Sequence, residues 1–212
     1  MGRLVLNTAR LKETRKVNIG RVIIFCEGKT EKFYFEFFAE IINKNKYSEI
    51  EVKLEEACGN ARAVLNYAND FLSRDENSAK YSNHSKYLVF DCDAPPNIQS
   101  VIIEASDYNL LVSNFLFETW LLMHFEDVLE QIPKRQIYKR LSEHLQTDYK
   151  KGHKGITRAI LQKGEAIKAI ENGQMLDRKF KEENKCIFSN ILEMNPYVNL
   201  HILIEQFLVA IS

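Results

Sequence analysis

Two short, unbroken apolar runs each stop on a carboxylate: Val22-Ile23-Ile24-Phe25-Cys26 before Glu27, and Tyr87-Leu88-Val89-Phe90 before Asp91. Continuous β-branched and aromatic runs of this length read as strands covered on both faces, the signature of a parallel sheet between helix layers. A solvated antiparallel strand would alternate instead. The pair therefore fixes both a fold class, α/β, and a place where chemistry can sit, since ligands of open α/β sheets bind at the carboxyl ends of strands.

The rest of the first half follows suit. Glu27-Gly28-Lys29-Thr30 breaks the first run, and Phe33, Phe37, Phe38, Ile41 and Ile42 then recur at helical spacing. Ile50, Val52 and Leu54 alternate as a second strand, and Asn60 can cap a helix carrying Ala61, Val64, Leu65, Ala68, Phe71 and Leu72. Residues 73–85 read as a polar loop. Pro95 and Pro96 open a further helix through Ile98, Val101 and Ile102. Tyr108–Val112 reads as a fourth strand, after which Asn114 caps a helix over 115–125. Strands alternating with helices predict βαβ units and a mostly parallel central sheet. Beyond about residue 127 the pattern is helical, over 133–146, 155–171 and 199–211.

The length of 212 residues, with 45% hydrophobic residues, suits one large domain or a core with an appendage. Lysine plus arginine and aspartate plus glutamate both number 29, so no overall field attracts nucleic acid or a membrane surface. Polyanion binding would have to come from local patches or a bound metal. The first 20 residues are basic and read as an arm or frayed terminus. They carry no apolar signal-peptide core, and no apolar run approaches the roughly 20 residues that span a bilayer. Cys26, Cys58, Cys92 and Cys186 form no CxxC pair. Three of them sit inside or beside apolar runs, which suits buried thiols in a reducing, cytoplasmic setting, and with no close cysteine or histidine pair a zinc site is not expected.

Glu27 and Asp91 close neighbouring strands if those strands pair, and Asp93 follows two residues later. Glu31, four residues after Glu27, can turn back from the first helical turn toward the same crevice. Acids so placed raise one another's pKa unless a counter-charge is present. A magnesium or manganese ion supplies it through oxygen ligands, and two such ions suit phosphodiester hydrolysis. Gly28 lets the backbone approach a phosphate, and Lys29 can neutralise the scissile group. Taken singly the residues have plainer roles: Asp93 as a helix cap, Glu31 as a solvated first-turn residue favoured by the helix dipole.

These motifs, Glu27-Gly28-Lys29-Thr30-Glu31 and Asp91-Cys92-Asp93 after apolar strands, resemble the Toprim domain of topoisomerases, primases and nucleases of the overcoming-lysogenization-defect type. Ser113 with residues Asn114-Phe115-Leu116-Phe117-Glu118-Thr119-Trp120-Leu121-Leu122-Met123-His124-Phe125 resembles the S-N-P-x-F-E-x-W-L-L-x-H-F stretch of RloB-like proteins. Tyr149-Lys150-Lys151 is similar to their Y-x-K, and Asn195-Pro196-Tyr197-Val198-Asn199 to their N-P-x-T-N. Phe115 and Val198 stand where the family tends to have proline and threonine.

The resemblance implies a Rossmann-like Toprim domain over 17–126, its central mostly parallel sheet flanked by helices, and a C-terminal helical extension over 127–212 packed on it. It further implies a metal-dependent nuclease of anti-phage abortive infection, acting on DNA or RNA with tRNA among the candidates. A defence ATPase would be its partner, and a homo-oligomer is compatible. Glu27 would be general acid/base or metal ligand, with Glu31, Asp91 and Asp93 as ligands of Mg²⁺ or Mn²⁺. The alternative is a regulatory module that holds metal or nucleotide without turnover.

Glu118 lies in an apolar helical stretch, so its carboxylate is expected to be buried and to need a partner. It would either support the metal ligands or be a further ligand with a catalytic part. His124 and Trp120 read as core residues. Lys150, Lys151 and Lys154 form the compact basic run of the second half. They are either a solvated, glycine-hinged loop or a loop that grips nucleic-acid phosphates beside the crevice. Asn195-Pro196 reads as a turn leading into a helix.

Overall fold

The computed structural model describes residues 19–44, 48–54, 59–93 and 97–211. In chain order these form β1 (Arg21–Cys26), α1 (Lys29–Ile42), β2 (Glu49–Leu54), α2 (Ala61–Ser73), α3 (Asp75–Lys80), β3 (Ser85–Asp91), α4 (Ile98–Glu104), β4 (Asn109–Asn114) and α5 (Phe117–Leu122). Then come α6 (Lys134–Leu145), α7 (Lys154–Lys163), α8 (Ala166–Glu182), α9 (Ile187–Asn190), a 3-10 turn over Ile191–Glu193, β5 (Tyr197–Val198) and α10 (His201–Ile211). The fold is α/β, with a five-stranded sheet ordered β2-β1-β3-β4-β5. The first four strands are parallel and β5 is antiparallel to β4.

The central strands are buried as their apolar runs require. Val22 to Cys26 and Leu88 to Phe90 are all at most 1% exposed, and each large side chain so buried contributes about 1.5–3 kcal/mol of transfer free energy. On one side Phe25 meets the rings of Tyr67 and Phe71 from α2 edge-on at 5.8 and 5.6 Å, and α4 packs on α2. On the other, α1 packs against α7 and α10, with Phe38 lying 5.6 Å from Phe207 of α10. Asn60 caps α2 by accepting the Ala63 N–H at 3.0 Å.

Several elements differ from the sequence reading. Asn114 is not a helix cap. It ends β4, and its side-chain amide donates to the carbonyls of Ile191 and Met194 at 2.6 and 2.7 Å. The helix that follows is shorter, Phe117–Leu122, with Leu116 in the capping position. Residues 155–171 are not one helix either. The chain breaks at Gly164–Glu165, where Gly164 lies so close to His124 that an added Cβ would approach the histidine Cβ to 2.7 Å, and α8 then runs on to Glu182.

The polar loop after α2 contains α3, and Asn195-Pro196 leads into β5 rather than a helix. There the C-terminal segment joins the sheet. Asn199 extends the pairing with its side chain, accepting the Val112 N–H at 2.7 Å and donating to the Leu110 carbonyl at 2.9 Å. Cys26 and Cys92 are buried while Cys186 is exposed. Residues 1–18 of the N-terminal arm, Cys58, Pro95 and Pro96 lie outside the described residues. No helix among the described residues is long and apolar enough to cross a membrane.

Candidate active site: a carboxylate crevice at the carboxyl edge of the sheet

The strand order reverses direction between β1 and β3, and the crevice outside that switch point is where open α/β sheets place ligands. Glu27 follows the last residue of β1 and Asp91 is the last of β3. The sheet hydrogen bonding locks the two together. The Glu27 N–H donates to the Val89 carbonyl at 3.1 Å, and the Asp91 N–H donates to Glu27 Oε2 at 3.0 Å.

Two further acids reach the same place from helices. Glu31, in the first turn of α1, is buried because Gly28 lacks a side chain; a Cβ there would collide with Glu31 Oε2. Glu118, in the first turn of α5, is fully buried. The segment between α6 and α7 closes over them. The Tyr149 hydroxyl donates to Glu118 Oε1 at 3.0 Å. Lys151 Nζ stands 3.6 Å from Glu118 Oε1 and 3.8 Å from Asp91 Oδ2. Gly152 makes the turn with φ +69° and donates its N–H to Thr30 Oγ1 at 2.8 Å, a conformation that favours glycine. Tyr149 and Lys151, two residues apart in this loop, both address Glu118.

One lysine does not balance this many buried acids. Burial pushes the Glu31 carboxyl up to about 7, with Glu118 and Glu27 adding to it and Lys151 opposing. Burial, and then Glu31, raise Asp91 well above the usual carboxylate range, again against Lys151. Glu27 is raised by burial and by the charge of Asp93, while the Asp91 N–H works the other way. Burial works against the Lys151 charge, but Glu118, Asp91 and Glu31 outweigh it and lift its pKa above the ordinary lysine value.

Glu31 Oε2, Asp91 Oδ1 and Glu118 Oε2 are buried without a hydrogen-bond partner among the described residues. Buried polar atoms are rarely left so. Orphaned carboxylate oxygens with surplus negative charge fit a hard divalent cation such as Mg²⁺ or Mn²⁺. The side chains must still turn to share one ion, because among the described residues the triad whose ligand atoms already lie within 4.8 Å of one another is elsewhere, at Glu49, Glu51 and His84.

The other sequence candidates lie as follows. Asp93 is exposed at the rim, and Lys29 and Lys150 are exposed. Lys154 turns to α1, 3.8 Å from Glu36 and 3.5 Å from Glu40, with Nζ 5.8 Å from the Phe33 ring centre. His124 is a core residue, its Nε2 3.2 Å from the Tyr34 hydroxyl and its Nδ1 3.0 Å from the Trp120 carbonyl. Burial draws its pKa down to about 4, so it is neutral. Sequence reasoning did not assign Tyr149 and Thr30 to this enclosure, and it left Lys151 between a solvated loop and a phosphate grip without anticipating its two acidic neighbours, Asp91 and Glu118.

Fold and crevice together define an α/β protein with a buried carboxylate cluster at the carboxyl edge of a mostly parallel sheet. The chain belongs to the RloB-like protein family, whose family model matches residues 22–207. That membership fits a defence-associated protein. No curated protein and no solved structure matches the chain.

Proposed function

We propose that the crevice is the active site of a Toprim-type, divalent-metal-dependent nuclease that hydrolyses phosphodiesters of DNA or RNA, with tRNA among the candidate substrates. The protein would serve as an abortive-infection effector beside a defence ATPase. The observation that carries the reading is the set of three buried carboxylates with orphaned oxygens, Glu31, Asp91 and Glu118, gathered at the strand ends with Glu27. Such a set is costly to fold unless a cation joins it.

Bound Mg²⁺ or Mn²⁺ would offset the charge on the scissile phosphate and acidify the attacking water. Asp91 and Glu31, with Asp93 at the rim, would supply the oxygen ligands, and Glu27 would be either a further ligand or the proton acceptor. As acceptor, Glu27, half-buried and held at Oε2 by the Asp91 N–H, would take the proton that the water loses as its oxygen bonds to phosphorus, while the P–O bond to the leaving strand breaks and the departing oxygen takes a proton from solvent. Lys151, on its flexible stem, holds the Asp91 and Glu118 charges in register and can turn to the phosphate as the substrate enters. Lys29 at the rim meets the outgoing strand. Purified protein with Mg²⁺ or Mn²⁺ should cut nucleic acid, and Glu27→Ala or Asp91→Ala should abolish cutting. Undiminished cutting by both variants would remove the assignment.

A second reading, a module that holds metal or nucleotide without turnover, is favoured by one observation. The basic loop is already engaged, Lys151 on Asp91 and Glu118 and Lys154 on Glu36 and Glu40, on a chain of zero net charge. Calorimetry that records metal binding, with no hydrolysis alone or with a partner ATPase, would select it.

A further inference from the structure

At the opposite end of the sheet a second set of ligand-type side chains converges. Strand pairing places Glu49 of β2 beside Arg21 of β1, and Ser85 of β3 beside Val22, so His84 arrives level with Glu49 across the first strand. Glu51 lies two residues along β2, on the same face as Glu49. One ligand atom from each of Glu49, Glu51 and His84 falls within 4.8 Å of the other two.

Acidic side chains at a sheet edge are common and prove little. The histidine is the independent observation. His84 is 6% exposed, yet neither Nδ1 nor Nε2 has a hydrogen-bond partner among the described residues. A neutral imidazole carries one donor and one acceptor, and burying both unmatched is unfavourable. Its ring is held in place by Tyr81, 4.9 Å away edge-on, and the Tyr81 hydroxyl donates to Glu51 Oε2 at 2.7 Å. One aromatic thus orients two of the three side chains, as residues behind metal ligands do.

We propose that Glu49, Glu51 and His84 bind a divalent transition-metal ion of the zinc class, which ties edge strand β2 to the start of β3. The imidazole favours such an ion over magnesium or calcium, which take oxygen ligands. Bonds of about 2.0–2.2 Å bring tetrahedral ligand atoms to roughly 3.3 Å apart. The three ligand atoms already lie within 4.8 Å of one another, so side-chain torsions suffice to bring them in. Two of the cations now on the acids are exposed and exchangeable, Arg21 at 3.5 Å from Glu49 and Lys80 at 2.9 Å from Glu51, and a third, Lys53, is half-buried at 3.1 Å from Glu51. Water completes the coordination. The site is separate from the carboxylate crevice, which lies at the far end of the same strands.

The test uses the full chain carrying Asp91→Asn, so that metal binding in the crevice is suppressed. After treatment with a chelator, Co²⁺ is titrated while visible absorption is followed, and Zn²⁺ is then added in competition. The expected result is one equivalent bound with tetrahedral-type visible bands, displaced by Zn²⁺, and a melting temperature raised on the order of 5 °C at a hundredfold excess over Kd. His84→Gln should weaken binding about a hundredfold or more. In the chain without the histidine change, saturating Zn²⁺ should move the His84 ring-nitrogen resonances and leave those of His124 in place. Unmoved His84 resonances would overturn the proposal whether or not the His84→Gln protein folds, as would unchanged affinity in that variant.

Discussion

The two ends of this sheet hold the same kind of residue in opposite electrostatic states. At the carboxyl end Glu31 is buried beside other acids with one lysine over the cluster, and its carboxyl is pushed up to about 7. At the amino end partial burial opposes the Glu51 charge, yet hydrogen bonds from Lys80, Tyr81 and Lys53 draw its carboxyl down to about 2. The strands are shared and the residue type is the same; the number of donors per carboxylate is what differs. A carboxylate supplied with donors needs no cation of its own, and at the amino end the unmet group is the His84 imidazole. Carboxylates whose oxygens are orphaned store free energy that a cation can release.

The sharpest way to break this contrast is to remove an acid at the carboxyl end. Asp91→Ala should lower metal-dependent hydrolysis on the order of 10³-fold, measured as initial cleavage rate under saturating Mn²⁺. A change smaller than about threefold would mean that the orphaned oxygens serve no chemistry.

Next in size is a pH effect on the metal-free protein. Glu31 moves from its ordinary 4.5 to about 7 in the folded state. Because the folded value is the higher one, its contribution to stability is fully present below about pH 4.5 and is lost as pH rises through about 7. The loss is on the order of 3 kcal/mol. Denaturant melts in a chelator at pH 4.5 and 7.5 should show it, and Glu31→Gln should flatten it. Saturating Mg²⁺ should also recover stability at the higher pH. A slope that survives Glu31→Gln would place the titration in another group.

Smaller again is the effect of the one counter-charge. Lys151→Met keeps the stem and removes the ammonium from Asp91 and Glu118. Breaking a buried pair costs about 3–5 kcal/mol. With 42% of the Lys151 side chain exposed, solvent screening reduces the expected loss to about 2 kcal/mol at pH 7.5 without metal. Divalent ions should restore most of it, and lower pH should do the same by protonating the acids. A loss that neither condition recovers would show that the stem's packing matters more than its charge.

How much of this was legible depends on the range of each signal. Strand identity came from local runs, so Val22–Cys26 and Tyr87–Phe90 pointed directly to the two strands at the switch point, and Glu27 and Asp91 followed. The limits of β4 were not local. Asn114 has the residue type of a helix cap, and its amide is instead claimed by Ile191 and Met194, about 80 residues away in sequence. Asn199 likewise reads as a helix-start residue until β4 is there to receive its side chain. In the site, burial of Glu118 was readable from its apolar neighbours, but its partners Tyr149 and Lys151 belong to a loop whose position depends on the packing of α6 and α7 around α1 and α5. The Glu49, Glu51 and His84 cluster was hidden for the same reason: His84 is distant in sequence from the two acids of β2 and meets them only through strand register.

The smallest expected effect lies at the amino end. Glu51→Gln removes a carboxylate that is 20% exposed and contacted by Lys53, Lys80 and the Tyr81 hydroxyl. Each exposed ion pair contributes little, and the cations left behind can turn to water, so the loss in a chelator should be under about 1 kcal/mol at pH 7. Its sign with pH is opposite to that of Glu31. The folded value near 2 lies below the ordinary 4.5, so the stabilisation is present above about pH 4.5 and fades as pH falls toward 2. Melts of wild type and Glu51→Gln should therefore converge at about pH 2 and stand apart at pH 7, whereas the Glu31→Gln pair should converge at about pH 4.5 and separate above it. Parallel behaviour of the two variants would show that donor count does not distinguish the ends of the sheet.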